Sequence, residues 1–145
     1  MSEVKVYIIS LKGSKRLKNI QKRLKQLKIN FEIFYGINGH QKKNHLKLLN
    51  NYDSKKTENY IGRKLAFPEI AASLSHINIY KSIVSNKIKS SIIIEDDAYP
   101  SIDLYKWIRS GDKIKDNSIL SFYSYPSGYL KKSGFYRCKN HGGKC

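Results

Sequence analysis

The sequence predicts an α/β fold, a mostly parallel sheet with helices on both faces, and three observations carry that expectation. Short, dense, β-branched runs at 4–11, 29–35 and 91–94 alternate with longer segments of helical period. The first and third runs are almost continuously apolar, as strands covered on both faces must be. Turn-forming or charged clusters follow those two runs, Lys12-Gly13-Ser14 after the first and Glu95-Asp96-Asp97 after the third. Ligands of open α/β sheets bind beyond the carboxyl ends of the strands, so both clusters are placed to share one site.

The elements follow in order. Val4 to Leu11 reads as a buried strand closed by the Lys12-Gly13-Ser14 turn, and Ser14 is positioned to cap a helix. Leu17, Ile20, Leu24 and Leu27 then recur at helical spacing, while Lys15, Arg16, Lys18, Lys22, Arg23, Lys25 and Lys28 cover the rest of the circumference. Ile29 to Tyr35 reads as the second strand, ended by Gly36-Ile37-Asn38-Gly39. Residues 40–64 are Lys/Asn-rich and weakly periodic apart from Leu46, Leu48 and Leu49, so an inserted loop with at most one short helix is expected. Pro68 and Glu69 mark a helix start, with Ile70, Leu74, Ile77 and Val84 as its buried stripe as far as about Asn86. Ser91 to Ile94 is the third strand, and Ser101 caps a further helix carrying Leu104, Trp107 and Ile108 and stopping at Gly111. Ser118 to Tyr125 reads as another strand, followed by a turn-rich tail. No internal repeat or second domain is visible, so residues 1–145 are expected to form one domain.

A hydrophobic fraction of 40% excludes wholesale disorder. The formal net charge is +17, concentrated in residues 1–64, where 16 basic residues face 4 acidic ones. Such a field favours an anionic partner: a phosphorylated small molecule, an acidic membrane surface or nucleic acid. The two cysteines, Cys138 and Cys145, are too few for a disulfide framework, and the charged, short apolar start is no signal-peptide core. A cytoplasmic protein is expected, peripheral at the inner face of the membrane if the basic surface is used there.

Three consecutive carboxylates repel one another unless a cation neutralises them, which makes a divalent metal, Mg or Mn, the economical expectation, alongside a solvated acidic turn. Lys12 and Arg16 flank the first turn and suit a phosphate, and Arg63 with Lys64 stands just ahead of the Pro68 helix. Glu69, Ser73, His76 and Tyr80 share one helix face. All on one helix, Glu69, Ser73 and His76 cannot take the nucleophile-base-orienter geometry, so a polar stripe facing loops or a sugar is expected there instead of a triad. Cys138, His141 and Cys145 resemble three zinc ligands without a fourth.

Taken in order, Val6 to Lys12, Phe31 to Gly39, Pro68 to Ile77 and Ile92 to Ala98 resemble glycosyltransferase family 25, whose members include lipooligosaccharide and collagen galactosyltransferases. The resemblance runs from about residue 4 to 98 and is most specific in Leu74-Ser75-His76 followed by Glu95-Asp96-Asp97. It implies a GT-A-like (Rossmann-like) fold and inverting transfer of a hexose, commonly galactose from UDP-galactose, to a glycan acceptor such as lipooligosaccharide. Lys12, Arg16, Arg63, Glu69, Ser75, His76, Glu95 and Asp96 become the expected nucleotide and substrate contacts, and Asp97 with Glu95 the metal ligands, while no catalytic base is assigned. Pro68 and Ser73 stand where members often carry Gly and Cys. The family continues past residue 145, so an incomplete C-terminal part is expected, with the nucleotide side of the site retained and the acceptor side and base lying beyond it. The rival is a non-enzymatic basic module using the Lys15–Lys28 helix on nucleic acid or an anionic membrane. The aromatic residues lie in the strands and not among those lysines, so no specific nucleic acid is expected.

Overall fold

A computed structural model describes residues 4–110 and the two short strands Leu120–Ser121 and Tyr136–Arg137. The order is β1 (Lys5–Ser10), α1 (Leu17–Gln26), β2 (Glu32–Tyr35), a 3-10 turn (Lys42–Asn44) leading into α2 (His45–Leu49), α3 (Ser54–Ile61), α4 (Phe67–Ser85), β3 (Ser91–Glu95), α5 (Ile102–Ser110), and the strands β4 (Leu120–Ser121) and β5 (Tyr136–Arg137). Every residue of β1 after Lys5 is buried, because β1 is the middle strand of a three-stranded parallel sheet ordered β2-β1-β3. Ile8 stands beside Ile33 on one side and Ile94 on the other, and Ile9 beside Glu95. The strands β4 and β5 pair antiparallel with each other.

Side-chain alternation divides the layers. On one face Val6, Ile8, Ile92 and Ile94 pack with Ile20, Leu24 and Leu27 from α1, and Leu104, Tyr105, Trp107 and Ile108 of α5 close against the same cluster. The opposite face carries Ile9, and there the Ser75 side chain of α4 approaches Gly36. The sheet is thus covered on both faces, as expected for an α/β Rossmann-like fold. From β1 the chain crosses to β2 on one side and reaches β3 on the other, which makes the carboxyl ends of β1 and β3 the topological switch point.

Local chemistry explains where element boundaries differ from expectation. Ser14 does not cap α1: its amide donates to the Leu11 carbonyl at 3.0 Å, closing a turn around Gly13 at φ +86°. The helix starts at Leu17 instead, with no side-chain cap and no acidic residue in its first turn. At the other end Lys28 takes the left-handed conformation at φ 55°, and the amides of Lys28 and Ile29 donate to Lys25 and Leu24 at 3.0 Å each. This Schellman closure commits Ile29 to the helix end, so β2 begins at Glu32 and not at 29. Ser101 does cap α5, its hydroxyl accepting from the Asp103 amide at 3.2 Å.

Residues 40–64 are more helical than a loop with one short helix. Leu48 is fully buried against Ile70 and Ala71, which folds α2 onto α4, and Asp53 caps α3 by accepting from the Lys56 amide at 2.9 Å. On α4 the buried positions are Ile70, Ala71, Ser75 and Ile79, whereas Ile77 and Val84 of the expected stripe are exposed. Apolar residues occur on all sides of this helix, so spacing alone selects no face. The expected Ser118–Tyr125 strand is described only at Leu120–Ser121; the rest of it, the Gly111 stop and the Cys138, His141, Cys145 set lie outside the described residues.

Gly39 fixes the start of α4. A Cβ there would stand 2.5 Å from the Phe67 carbonyl oxygen and 2.6 Å from the Pro68 Cα, both backbone atoms that cannot turn aside. Gly39→Ala is expected to cost about 1–3 kcal/mol, the usual cost of overpacking. Thermal unfolding followed by circular dichroism checks this, with a melting point lower by several degrees expected; an unchanged midpoint contradicts the close approach.

Candidate functional site

At the switch point, β3 ends in Glu95 and the chain turns immediately through Asp96 and Asp97, the Ala98 amide closing on the Glu95 carbonyl at 3.1 Å. This tight turn sends the three carboxylates in different directions. Asp96 points inward and is 7% exposed. One of its oxygens accepts from the Ser10 hydroxyl at 2.6 Å, and the other meets Arg16 Nη2 at 3.1 Å. Asp97 faces solvent and takes the second terminal nitrogen of the same guanidinium at 3.3 Å. Glu95, also exposed, reaches His76 Nε2 on α4 at 3.3 Å. One arginine at the foot of α1 thereby bridges two carboxylates after β3, and four elements meet at one point: β1, α1, β3 and α4.

The expected residues divide sharply. Arg16, Glu95, Asp96, Asp97 and His76 are brought together. Lys12 lies exposed in the turn beside them, with no ion pair among the described residues. Arg63 and Glu69 form a different cluster at the start of α4. The guanidinium donates to both Glu69 oxygens, at 2.6 and 2.8 Å, while the carboxylate also accepts from the Ala66 amide at 2.8 Å. The alanine at the N-cap has no side-chain acceptor, so Glu69 supplies the only side-chain half of this cap. The Arg63 hydrogen bond, then the Ala66 amide, hold the Glu69 carboxyl down to about 2 from its ordinary 4.5.

Ser75 is a staple in the fold and not an exposed ligand. It is buried, it donates to the Ala71 carbonyl at 2.6 Å, and it accepts from the Ile37 amide at 2.8 Å. Ser73 donates to the Glu69 carbonyl at 3.0 Å, as expected of a helix hydroxyl outside any triad. Two contributors were not singled out from the sequence. Ser10 is signalled only by being the one hydroxyl ending an apolar strand. Arg23, whose Nε donates to the Pro100 carbonyl at 2.9 Å while its guanidinium lies 4.7 Å over the Tyr99 ring, holds the segment after the carboxylates and has no sequence signal.

Among the described residues no three His, Cys, Asp or Glu side chains converge as an all-protein metal site requires. Magnesium and manganese sites need less, one or two carboxylates completed by water and phosphate oxygens; Glu95 and Asp97 are exposed carboxylates of that chemical type, the first paired with His76 and the second with Arg16. Near-total pairing of Asp96 leaves it to position Arg16.

Two predictions follow from these contacts. Ser10→Ala removes a hydroxyl from a buried carboxylate, and a loss of about 1–3 kcal/mol is expected in urea unfolding; full stability would contradict the buried bond. A lowered carboxyl favours the folded state above its unfolded value and ceases to do so as pH falls, so the Arg63–Glu69 contact stabilises above about 4.5 and is lost between there and about 2. In Arg63→Gln, carboxyl NMR should show Glu69 titrating higher, toward its ordinary range; an unmoved titration contradicts the assignment of Arg63 as the leading cause.

A comparison with known families assigns the chain. No curated protein matches the chain. The model of glycosyltransferase family 25 (LPS biosynthesis protein), however, matches residues 3–139, a span that takes in the first turn, α4 and the acidic end of β3 together. With both sides of the switch point inside that match, the chain belongs to glycosyltransferase family 25.

Proposed function

We propose that the chain transfers a hexose, galactose first among the candidates, from a UDP-sugar to a glycan acceptor of the lipooligosaccharide class, with the donor diphosphate seated between the carboxyl ends of β1 and β3. The observation that supports this reading is the Arg16 bridge to Asp96 and Asp97. A guanidinium carries five N–H donors, and the two described ion pairs leave others to meet phosphate oxygens. Asp96, buried and fixed by Ser10, holds that guanidinium at the tip of the sheet. Lys12 adds a mobile positive charge from the turn, and the uncapped first amides of α1 add the positive end of its dipole.

The chemistry asks for these groups at this place. As the bond between the sugar and the diphosphate breaks, negative charge grows on the departing UDP, and fixed cations stabilise it more than they stabilise the intact donor. Glu95 and Asp97 would hold a divalent cation, which when bound supplies further neutralisation of the diphosphate. His76, set by Glu95, lines the opposite rim, where it can hydrogen-bond a sugar hydroxyl. The basic outer face of α1, with Lys18, Lys22 and Lys25, attracts an anionic membrane that carries the acceptor.

Calorimetric titration of UDP-galactose with and without manganese tests the proposal. Binding strengthened by manganese is expected, and Asp97→Ala should weaken it at least tenfold, about 1.4 kcal/mol. Binding that ignores both the metal and the substitution removes the carboxylates from the mechanism. A preference for UDP-glucose in competition would replace galactose as the donor sugar.

A further inference from the structure

The surface of α2 has a property that glycosyl transfer at the switch point does not use. Leu46 and Leu49 are 72% and 51% exposed. They stand three residues apart on a helix and so share its outer side. The helix is not loosely placed. Leu48, on its inner side, is fully buried with Ile70 and Ala71. His45 stacks on Phe67 with ring centroids 3.6 Å apart and planes 7° from parallel, and its Nε2 meets the Gly39 carbonyl at 3.0 Å. Asn44 ties the preceding turn to the Asn38 carbonyl at 2.8 Å. Two aliphatic side chains are therefore held outward by anchors on the other side of their own helix.

Their surroundings are basic. Lys42 and Lys43 in the 3-10 turn and Lys47 in α2 lie exposed close to Leu46 in sequence, and α3 carries exposed Lys55, Lys56, Tyr60 and Ile61. Residues 40–64 hold seven basic side chains against Asp53 and Glu58, and Asp53 is occupied as the cap of α3. Exposed aliphatic side chains with exposed lysines beside them in sequence match the boundary of an anionic bilayer, where the leucines enter the acyl region and the ammonium groups meet lipid phosphates. The outer face of α1 differs, having lysines without exposed apolar residues, and supplies attraction without insertion. A second copy of this chain would bring like charges together, and leucines offer nucleic-acid bases no stacking platform.

We propose that α2 and the lysines around it dock the protein on an anionic lipid bilayer through insertion of Leu46 and Leu49. The purpose of docking rests on the reading of a membrane-borne glycan acceptor given above. The placement suits it: α2 packs on the first turn of α4, and His76, at the rim of the acidic cluster, lies nine residues beyond Phe67 on that helix, roughly 13 Å along its axis.

Cosedimentation with phosphatidylglycerol/phosphatidylethanolamine vesicles tests the docking, with pure phosphatidylcholine vesicles as the neutral control. The full chain should bind the anionic vesicles only. Leu46→Ser with Leu49→Ser should lower the partition coefficient roughly tenfold or more, given the apolar area withdrawn from lipid, with an unchanged circular-dichroism melt. Lys42→Gln, Lys43→Gln and Lys47→Gln together should weaken binding and flatten its salt dependence. A Leu46→Trp variant should show emission shifted to shorter wavelength on anionic vesicles, which reports insertion without relying on a loss. Failure of the wild type to bind, undiminished binding by the leucine variant, or a tryptophan that stays in water overturns the proposal. So does a dimer in analytical ultracentrifugation that the leucine substitutions dissolve while vesicle binding persists. Vesicle binding needs no sugar donor, so a failure of the transferase reading appears in UDP-galactose calorimetry and leaves this result standing.

Discussion

A single buried carboxylate governs the carboxyl edge of this sheet. Asp96 sits where β3 turns away from the sheet, and a carboxylate withdrawn from water at that point is tolerable only if its oxygens are satisfied. One is met by the last hydroxyl of β1 and the other by the first guanidinium of α1. Both partners lie far from it in sequence, the Ser10 contact spanning 86 residues. The parallel pairing of β1 with β3 brings them together, and the turn at Gly13 lets α1 start close enough for Arg16 to reach back. The charge arrangement and the sheet topology are thus one constraint: slip the β1–β3 register by one residue and Ser10 would face away from Asp96.

From that tie follows a separation of duties among polar groups that the sequence alone leaves mixed. The helix motif at 69–76 contains a cap, a staple and a rim residue. Glu69 finishes the N-terminus of α4 with Arg63, Ser75 pins the same helix to the segment after β2, and only His76 reaches the acidic cluster. Gly36 and Gly39 allow α4 and that segment to approach closely enough for the staple to form. Two of the three polar residues of this motif therefore hold the scaffold. The acidic motif shows the same pattern: its middle residue is spent on position, and its two neighbours remain open to solvent.

The order of strands and helices was legible because continuous β-branched runs and the α1 period are strong signals, and Glu95-Asp96-Asp97 does stand at the carboxyl end of β3, as an acidic run following an apolar one indicated. What spacing did not disclose depended on tertiary contacts. The rotation of α4 was hidden because Ile77 and Val84 are as apolar as the buried Ile70 and Ile79. The helices within 40–64 were hidden because α2 is short and is held by one buried leucine, while α3 is bounded by Asp53 and by Gly62 in the left-handed conformation. Ser14 resembled a cap until the turn claimed its amide. Three adjacent carboxylates suggested a dication as their neutraliser, and Arg16 proves to supply part of that neutralisation itself, a long-range pairing that sequence separation conceals.

The account stands on the donor diphosphate occupying the gap between the ends of β1 and β3. Backbone amide NMR of the labelled chain titrated with UDP-galactose and manganese tests it most directly. Perturbations should centre on residues 11–16 and 95–97 and on the Arg16 side-chain signals. Shifts confined to the outer side of α1 or to α3, with the residues around Asp96 unmoved, would contradict it.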